Sequence, residues 1–446
     1  MFDRWRPGAL LARWGRVGSA HHQILRGMVW VALFVFLGKL AGAAKEIVIA
    51  WRYGISEEVD AYLFVFNLVS WPVSVWFSVL TVVLVPLATR IRQKIPTDLS
   101  CFRAELLGLT LLLGVALGLL TWLGLPILLR SSWAGLPLTT ANIAVDMVPT
   151  LFLLLPLGVV ISLFSAWMLA AGRHANTLME SAPALAIFLT LLAMPGGGVA
   201  PLVWGTLAGF ALHLACLAAA LVRKGEFSAP QFAVSSPWWG AFWQSFGVML
   251  AGQVLISLTS IVDQFFAAQL GTGAIATLSY ANRILALVLG LGATAVSRAT
   301  LPVFSQAHAS GQGHLSRMAA QWGGLLFVLG LFAVLGGWWL AVEGVKLLFE
   351  RGAFTREATG AVAEVLRFGL LQLPFYFAAI VFVSLLASQG RHGVIAVVAG
   401  SSLLVKIAAL MMLTPSLGIR GVALSTSVMY ATILLSLTVM ARAAKK

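Results

Sequence analysis

Long apolar runs, separated by short polar connections, dominate this sequence. Most runs reach or exceed the 20 or so apolar residues that a helix needs to cross a bilayer. They are continuous and do not alternate as the strands of a membrane barrel do. Pro72, Pro156 and Pro374 fall inside runs and should kink the helices there. The pattern therefore predicts an all-α polytopic membrane protein with twelve spans, near residues 27–52, 59–90, 104–130, 144–171, 178–196, 200–222, 240–268, 272–304, 320–349, 360–388, 393–413 and 418–440.

Composition supports this class. The 446 residues are 60% hydrophobic and only 10% charged, whereas soluble proteins carry about 25% charged residues. The formal net charge is +14, but the basic residues lie mostly in short connections, as membrane orientation requires. Their distribution predicts cytoplasmic termini and does not favour nucleic acid as a partner. Cys101 and Cys216 occur in unlike surroundings, so neither a disulfide nor a cysteine metal site is expected.

The chain divides into a leader, two halves and a linker. Residues 1–26 form a basic leader whose tryptophans and leucines alternate with arginines, which is typical of an amphipathic cytoplasmic surface helix. A full-length span follows it, so no cleavable signal is expected. The predicted halves cover residues 27–224 and 240–446, and residues 225–239 are predicted to be a cytoplasmic linker.

An internal repeat relates the two halves. LLLPLGVVISLFSAWMLAAGRHA is matched by LQLPFYFAAIVFVSLLASQGRHG, and the proline-to-arginine distance is the same from Pro156 to Arg173 as from Pro374 to Arg391. Six spans return the chain to the same side of the membrane. The halves should therefore be parallel repeats around a central cavity, an arrangement suited to alternating access.

Three charged residues lie inside the first predicted span: Lys39, Lys45 and Glu46. An ionisable group at bilayer depth costs roughly 2.5–3.5 kcal/mol on insertion scales and usually faces a cavity, a partner or a substrate. We interpret these residues as part of a cavity wall. The alternative is that the lysines extend to the membrane interface.

Two further charges stand alone in apolar spans: Asp263 in the seventh and Lys406 in the eleventh. Each needs a partner or water at that depth. We predict that they pair with each other. The alternative is that Lys406 extends to the interface and Asp263 contacts only backbone or water.

No motif of catalytic or nucleotide-driven chemistry is found. HExxH, GxSxG and GxxxxGK[ST] do not occur in the sequence. We therefore expect neither an enzyme nor a cofactor or metal, and we expect an ion gradient or the membrane potential to supply the energy, without bound ATP. A channel is less favoured because no filter motif is present.

FLGKLAGAAKEIVIAWRYGISEEVDAYLFVF resembles the opening of the MurJ/MviN family of lipid II flippases, and the resemblance continues at LSYANRILALVLGLGATAVSRATLPVFSQ and LLFERGAFTREAT. That family shares a superfamily with Wzx-type saccharide flippases and MATE drug antiporters. The resemblance implies export of a polyprenyl-diphosphate-linked saccharide for peptidoglycan synthesis in the bacterial cytoplasmic membrane, with membrane lipids and envelope-polymer synthesis proteins as partners.

The resemblance also implies roles for individual residues. The basic residues that hold the diphosphate fall at Lys39, Lys45 and Arg283, and an acidic cavity or gating pair falls at Glu46 and Asp60. Independently of the resemblance, Asn67 and Asn282 lie in cavity-side spans and are candidate sugar contacts, and hydrogen bonds between helices are the alternative. Trp71, near the position of a missing family arginine, is a candidate to stack on a sugar. In sodium-coupled relatives a cation site lies near the position of Asp263. We hypothesise that the Lys406 ammonium replaces the sodium ion and that the pair takes part in ion coupling.

This chain departs from the family pattern at two places. A second-span arginine is missing around Ser70–Val73, and an eighth-span acid is replaced around Ala286. The departures leave open a Wzx-type flippase of an exopolysaccharide or O-antigen repeat, and a silent scaffold in an envelope complex. A MATE-like cation or drug antiporter is the alternative from another class, but such a cavity should be acidic and aromatic.

Overall fold

A computed structural model describes residues 19–95, 98–172, 179–196, 198–309 and 315–443. The described residues form fourteen helices and contain no strand, so they confirm the all-α prediction. Most of the predicted leader lies outside the described residues. The helices are α1 Ser19–Tyr53, α2 Glu57–Lys94, α3 Asp98–Arg130, α4 Leu138–Leu151, α5 Leu154–Ala170, α6 Ala182–Ala193, α7 Ala200–Arg223, α8 Trp239–Ala268, α9 Ala274–Ala309, α10 Leu315–Phe349, α11 Arg356–Leu370, α12 Leu373–Ser388, α13 His392–Leu417 and α14 Ile419–Ala443.

These helices follow the order of the predicted spans, with α4 and α5 forming one span and α11 and α12 another. Among the described residues, nine segments are long and apolar enough to cross a membrane, and the α4–α5 pair makes a tenth. Helix α6 is shorter, at 12 residues. The fold class is thus established, while the count of twelve spans stays a prediction.

Proline explains the two broken spans. A proline in a helix removes a backbone donor, and its ring clashes with the preceding turn. Pro156 lies in the first turn of α5, where the chain bends by 53° relative to α4. Pro374 lies at the start of α12, just after the break from α11. Helix α2, in contrast, continues through Pro72 without interruption.

Successive connections alternate between two ends of the helix bundle. We define the linker end as the one that holds residues 224–238 and the far end as the opposite one. At the far end the Ala353 amide donates to the Trp51 carbonyl at 2.8 Å. At the linker end the Gln231 amide donates to the Ala104 carbonyl at 2.9 Å.

The two halves repeat the same helix packing. Helix α2 packs on α5 as α9 packs on α12, and α3 packs on α5 as α10 packs on α12. The pairs α6–α7 and α13–α14 correspond in the same way. The second half therefore repeats the architecture of the first, although the exact limits of the halves stay predictions.

The buried core shows how the halves meet. At the far end one apolar cluster contains residues of both halves, such as Tyr62 and Tyr280. Towards the linker end there are two separate clusters, one around Phe102 and Trp167 and the other around Phe382, and the first also contains Phe242 and Phe246 of α8. The shared cluster thus joins the halves at the far end, whereas towards the linker end the start of α8 packs into the core of the first half.

The linker is attached to the first half. The carboxylate of Glu105 in α3 accepts hydrogen bonds from the backbone amides of Ser235 and Ser236, at 3.0 and 3.1 Å, and from the Trp239 indole at 2.6 Å. Trp239 and Phe242 at the start of α8 then pack against Phe102. This end of α8 therefore belongs physically to the first half.

Candidate functional site

A cavity of about 450 Å³ lies between the halves, lined mainly by α1, α9 and the ends of α6 and α10. We refer to it as the cationic cavity. Its charged lining residues are Lys39, Lys45, Glu46, Glu180 and Arg283. Three cations therefore face two carboxylates.

Local sequence explains why α1 forms one wall. Lys39, Ala43 and Glu46 follow the three- and four-residue spacing that places side chains on one face of a helix. Gly42 lies on the same wall, and apart from its chain neighbours and the backbone of its own helix no described atom lies within 4 Å of the position its Cβ would take. The small residues thus leave room between the charged ones.

Glu46 joins two cations that come from different halves. Its Oε1 lies 2.8 Å from Lys45 Nζ on α1 and 3.2 Å from Arg283 Nε on α9. Lys45 and Glu46 are mostly buried, whereas Arg283 is 45% exposed. The guanidinium can therefore make further contacts inside the cavity.

Lys39 differs from Lys45. It is exposed, lines the same cavity and has no ion pair within the described part of the chain. The structure thus brings together all three cations that the sequence suggested. Glu180, just before α6, was missed, because one acid beside a predicted span boundary does not reveal which way it faces.

A second, polar cavity of about 260 Å³ adjoins the first and shares Arg283 with it. Its walls are rich in amides and hydroxyls, including Asn67, Ser260 and Asn282. The two candidate sugar-contacting asparagines therefore line one cavity.

The Asp263–Lys406 contact predicted from the sequence is present. Lys406 Nζ lies 2.7 Å from Asp263 Oδ2 and 3.3 Å from the Thr259 carbonyl oxygen. Only 2% of the Lys406 side chain is exposed, so it does not extend to an interface. The pair lies beside a third cavity of about 190 Å³, which shares Asp263 and Asn282 with the polar cavity. Asp263 Oδ1 is buried and has no hydrogen-bond partner among the described atoms.

Asp60 lies elsewhere than expected. It does not line the cationic cavity but is buried at the far end. There its carboxylate accepts hydrogen bonds from the Gly273 amide and, at 2.7 Å, the Ala276 amide, at the start of α9. An acid at a helix N-terminus satisfies free amides and complements the helix dipole. Asp60 therefore ties the two halves together, and its gating role stays a prediction.

Trp71 also departs from its predicted surroundings. Its indole donates to Ser257 Oγ at 2.8 Å, and its ring lines an apolar cavity between α2, α3 and α8. It lines neither the cationic nor the polar cavity. The structure thus does not place this ring with the candidate sugar contacts.

The described residues contain no group of three or more His, Cys, Asp or Glu side chains placed to hold a metal ion. The second half repeats the helix packing of the first, and a charged cavity lies between the two halves. This is the architecture of an alternating-access membrane carrier. A family model described as "Lipid II flippase MurJ" matches residues 49–446. The chain therefore belongs to the lipid II flippase MurJ family. The match begins just after Glu46, so the roles of Lys39 and Lys45 depend on the first-span resemblance and on the cavity geometry.

Individual relatives cover shorter stretches. A "Probable lipid II flippase MurJ" of Helicobacter pylori strain J99 is 34% identical over 192 residues, which is 42% of this chain and 41% of the relative. One from Bdellovibrio bacteriovorus is 29% identical over 237 residues, covering 52% of this chain and 44% of the relative. The chain thus spans less than half the length of these relatives.

Solved structures share the fold across nearly the whole chain. The structure of "Lipid II flippase MurJ, inward closed conformation" matches with a TM-score of 0.81 at 19% identity. The alignment covers 93% of this chain and 87% of the chain in that structure. An inward-facing MATE-family multidrug resistance transporter of the MOP superfamily has a TM-score of 0.76 at 16% identity, with coverage of 92% and 94%. At these identities the likeness establishes the fold alone.

Proposed function

We propose that this protein is a flippase that moves a polyprenyl-diphosphate-linked saccharide, with lipid II as the leading candidate, from the inner to the outer leaflet of the bacterial cytoplasmic membrane. It does so by alternating access and catalyses no covalent step. Membrane lipids and proteins of envelope-polymer synthesis are its expected partners. Family membership and the cationic cavity support this proposal.

The observation that carries the proposal is the ionic bridge from Lys45 through Glu46 to Arg283. A diphosphate carries about two negative charges and can replace the single Glu46 carboxylate as the partner of both cations. Exposed Lys39 supplies a third contact on the same wall. Each charge-assisted hydrogen bond is worth about 1.5–3 kcal/mol. Because Lys45 and Arg283 come from different halves, a bound diphosphate replaces the ion pairs with Glu46 that link the halves in this conformation.

The saccharide then extends into the polar cavity. Arg283 lines both cavities, so a sugar attached to a diphosphate at Arg283 lies next to Asn67 and Asn282. Amide side chains can both donate to and accept from sugar hydroxyls.

The linker end is cytoplasmic in this proposal. The positively charged connections between the helices favour that orientation. The far-end position of the apolar cluster that contains residues of both halves also favours it. Because the apolar cluster of the far end contains residues of both halves, we expect the cavity to open towards the linker end. A substrate made in the inner leaflet would therefore enter from the correct side.

The Asp263–Lys406 pair gives the proposed energy coupling a specific form. The ammonium occupies the position beside Asp263 where a coupling cation would bind, so transport does not require sodium. The membrane potential or another ion gradient supplies the energy, without bound ATP.

Two alternative substrates correspond to two other functions. A Wzx-type flippase of an exopolysaccharide or O-antigen repeat would use the same diphosphate site and differ only at the saccharide. A MATE-like antiporter shares the fold, but a cavity with three cations repels cationic drugs. The cationic lining therefore favours an anionic lipid-linked substrate.

Reconstitution in liposomes tests the proposal. Fluorescent lipid II and an undecaprenyl diphosphate bearing an unrelated sugar are scored separately for translocation. Lys39→Gln, Lys45→Gln and Arg283→Gln should each abolish transport without loss of protein from the membrane, and Lys45→Arg should retain it. Arg130→Gln is the matched control, because Arg130 is an exposed cation at the end of α3 and does not line the cationic cavity.

Each outcome identifies one function. Translocation of lipid II alone supports the leading candidate, whereas preference for the unrelated sugar favours the Wzx-type alternative. Full activity of the triple Gln variant would show that the cationic cavity does not bind the substrate. Absence of transport for every lipid would favour the scaffold alternative.

A further inference from the structure

An apolar cavity of about 360 Å³ lies outside the substrate path just described. It is bounded by α2, α3 and α8, and all of its lining residues are hydrophobic. Trp71 and Trp76 form one wall, Leu109 and Leu117 lie on the second, and Trp243 and Val254 lie on the third.

The cavity extends along α8 from near the linker end. Its lining on this helix runs from Trp243 to Val254, which at 1.5 Å per residue is about 6 to 22 Å from the start of the helix. This length of about 16 Å is comparable to half of a hydrocarbon core about 30 Å thick. The cavity is therefore long enough for an acyl chain of one leaflet.

Its chemistry selects a hydrocarbon occupant. An apolar cavity does not retain water, because water needs several polar partners. An empty cavity would forfeit the dispersion contacts of the side chains around it. One methylene-sized group takes up about 30 Å³, which is close to the volume of one water molecule in the liquid. The apolar cavity of about 360 Å³ therefore holds about twelve such groups.

The tail of the transported lipid is not the occupant. The apolar cavity shares no lining residue and no lining helix with the cationic cavity. The Trp71–Ser257 hydrogen bond also lies between it and the polar cavity, which begins at Ser260 one turn further along α8. We therefore infer that a substrate whose diphosphate lies at Arg283 does not place its tail in the apolar cavity.

We propose that one acyl chain of a membrane phospholipid, from the leaflet at the linker end, occupies this cavity as a bound lipid that is not transported. Helices α2 and α8 pack against each other, and the linker-end part of α8 lies with the first half. The acyl chain thus completes the contact between this part of α8 and helices α2 and α3. This site depends on the membrane location of the protein and not on the identity of the transported saccharide.

Photocrosslinking tests the site directly. Purified protein is reconstituted in phospholipid vesicles that contain a phosphatidylethanolamine with a diazirine midway along one acyl chain, and the adducts are mapped by mass spectrometry. Peptides containing Trp71–Trp76 and Trp243–Val254 should carry several-fold more adducts than the lipid-facing surface of α10 around Phe332, which is 65% exposed.

Two tryptophan substitutions on α3 provide a filled site and a matched control. Leu113→Trp fills the cavity and should remove most adducts from it, whereas Leu120→Trp adds the same bulk at a position that is 69% exposed and should leave the adducts unchanged. Val254→Phe is the second filling variant if Leu113→Trp fails to give a monodisperse protein.

Several results would overturn the site. These are equal labelling of the cavity and of α10, unchanged labelling in both filling variants, or loss of labelling when undecaprenyl diphosphate is added. Labelling should persist in Arg283→Gln, so failure of this proposal and failure of the transport proposal can be distinguished.

Discussion

The Asp263–Lys406 pair allows a quantitative double-mutant experiment. The changes are Asp263→Asn, Lys406→Met and the two together. Each single change leaves one buried charge without an opposite charge, because Asp263 and Lys406 form an ion pair with each other, at 2.7 Å. The double change removes both charges and leaves side chains of similar volume.

The magnitude follows from what the remaining group can do. In Lys406→Met, Asp263 keeps no ammonium on Oδ2, and its Oδ1 already has no hydrogen-bond partner among the described atoms. The carboxyl can escape by taking up a proton, which at pH 7 costs about 4 kcal/mol from the ordinary aspartate pKa of about 3.9. In Asp263→Asn, the Lys406 ammonium keeps the Thr259 carbonyl oxygen at 3.3 Å but no carboxylate. Losses of about 3–5 kcal/mol are known for broken buried ion pairs.

The assay is the free energy of unfolding of purified protein in detergent micelles, measured by tryptophan fluorescence. Each single variant should lose about 3–5 kcal/mol, and the double variant should recover much of that loss. The loss in Lys406→Met should shrink as the pH falls, because there the folded state binds a proton that the unfolded state lacks at pH 7.

The chain contains a matched control. Arg420 and Glu364 lie 2.9 Å apart, a similar distance, but their side chains are 45% and 42% exposed. Arg420→Met should therefore cost less than about 1 kcal/mol, because water screens an exposed pair. Additive losses in the double variant, or a loss as small as that of Arg420→Met, would refute the buried pair as a stabilising contact. A sodium requirement for transport by the unaltered protein would refute its coupling role.

Three further predictions concern the far end and the topology. Asp60→Asn should weaken far-end closure by about 1.5–3 kcal/mol, because it removes a charged acceptor of two backbone amides at the start of α9, and unfolding in detergent measures the loss. Gly54→Ala should destabilise more than Gly418→Ala in the same assay. The two glycines have φ of +57° and +56°, but only at Gly54 would a Cβ lie 2.4 Å from the Ala353 oxygen. If the linker end is cytoplasmic, an impermeant thiol reagent added to intact cells should label Ser132→Cys but not Ala229→Cys.

Each of these has its own control. Glu57→Gln alters a partly exposed acid near Asp60 that accepts a long hydrogen bond, at 3.4 Å, from Thr272, so it should have almost no effect. Equal losses at Gly54 and Gly418 would mean that the backbone conformation, and not the contact between the halves, sets the cost. The labelling requires a Cys101→Ser, Cys216→Ser background, and the opposite labelling pattern would reverse the proposed orientation.

The pattern of apolar and polar residues along the sequence was sufficient to predict the membrane helices. A stretch of about twenty apolar residues has few alternatives in a bilayer, because every backbone polar group must be satisfied within the segment. The prolines at 156 and 374 marked both interrupted spans because their effect on a helix is local. The pairing of Asp263 with Lys406 was also accessible, since isolated charges in apolar spans require partners.

Contacts between halves could be decided only by the tertiary structure. Asp60 was assigned to the cavity, but it is buried under the start of α9, a helix that begins more than two hundred residues later. Trp71 was assigned to the sugar and instead lies against α8, while Glu180 was not assigned at all. The physical reason is that a membrane helix is apolar on both its lipid-facing and its protein-facing sides. Its sequence therefore shows where the helix crosses the bilayer but not which face meets a neighbour, a cavity or a lipid.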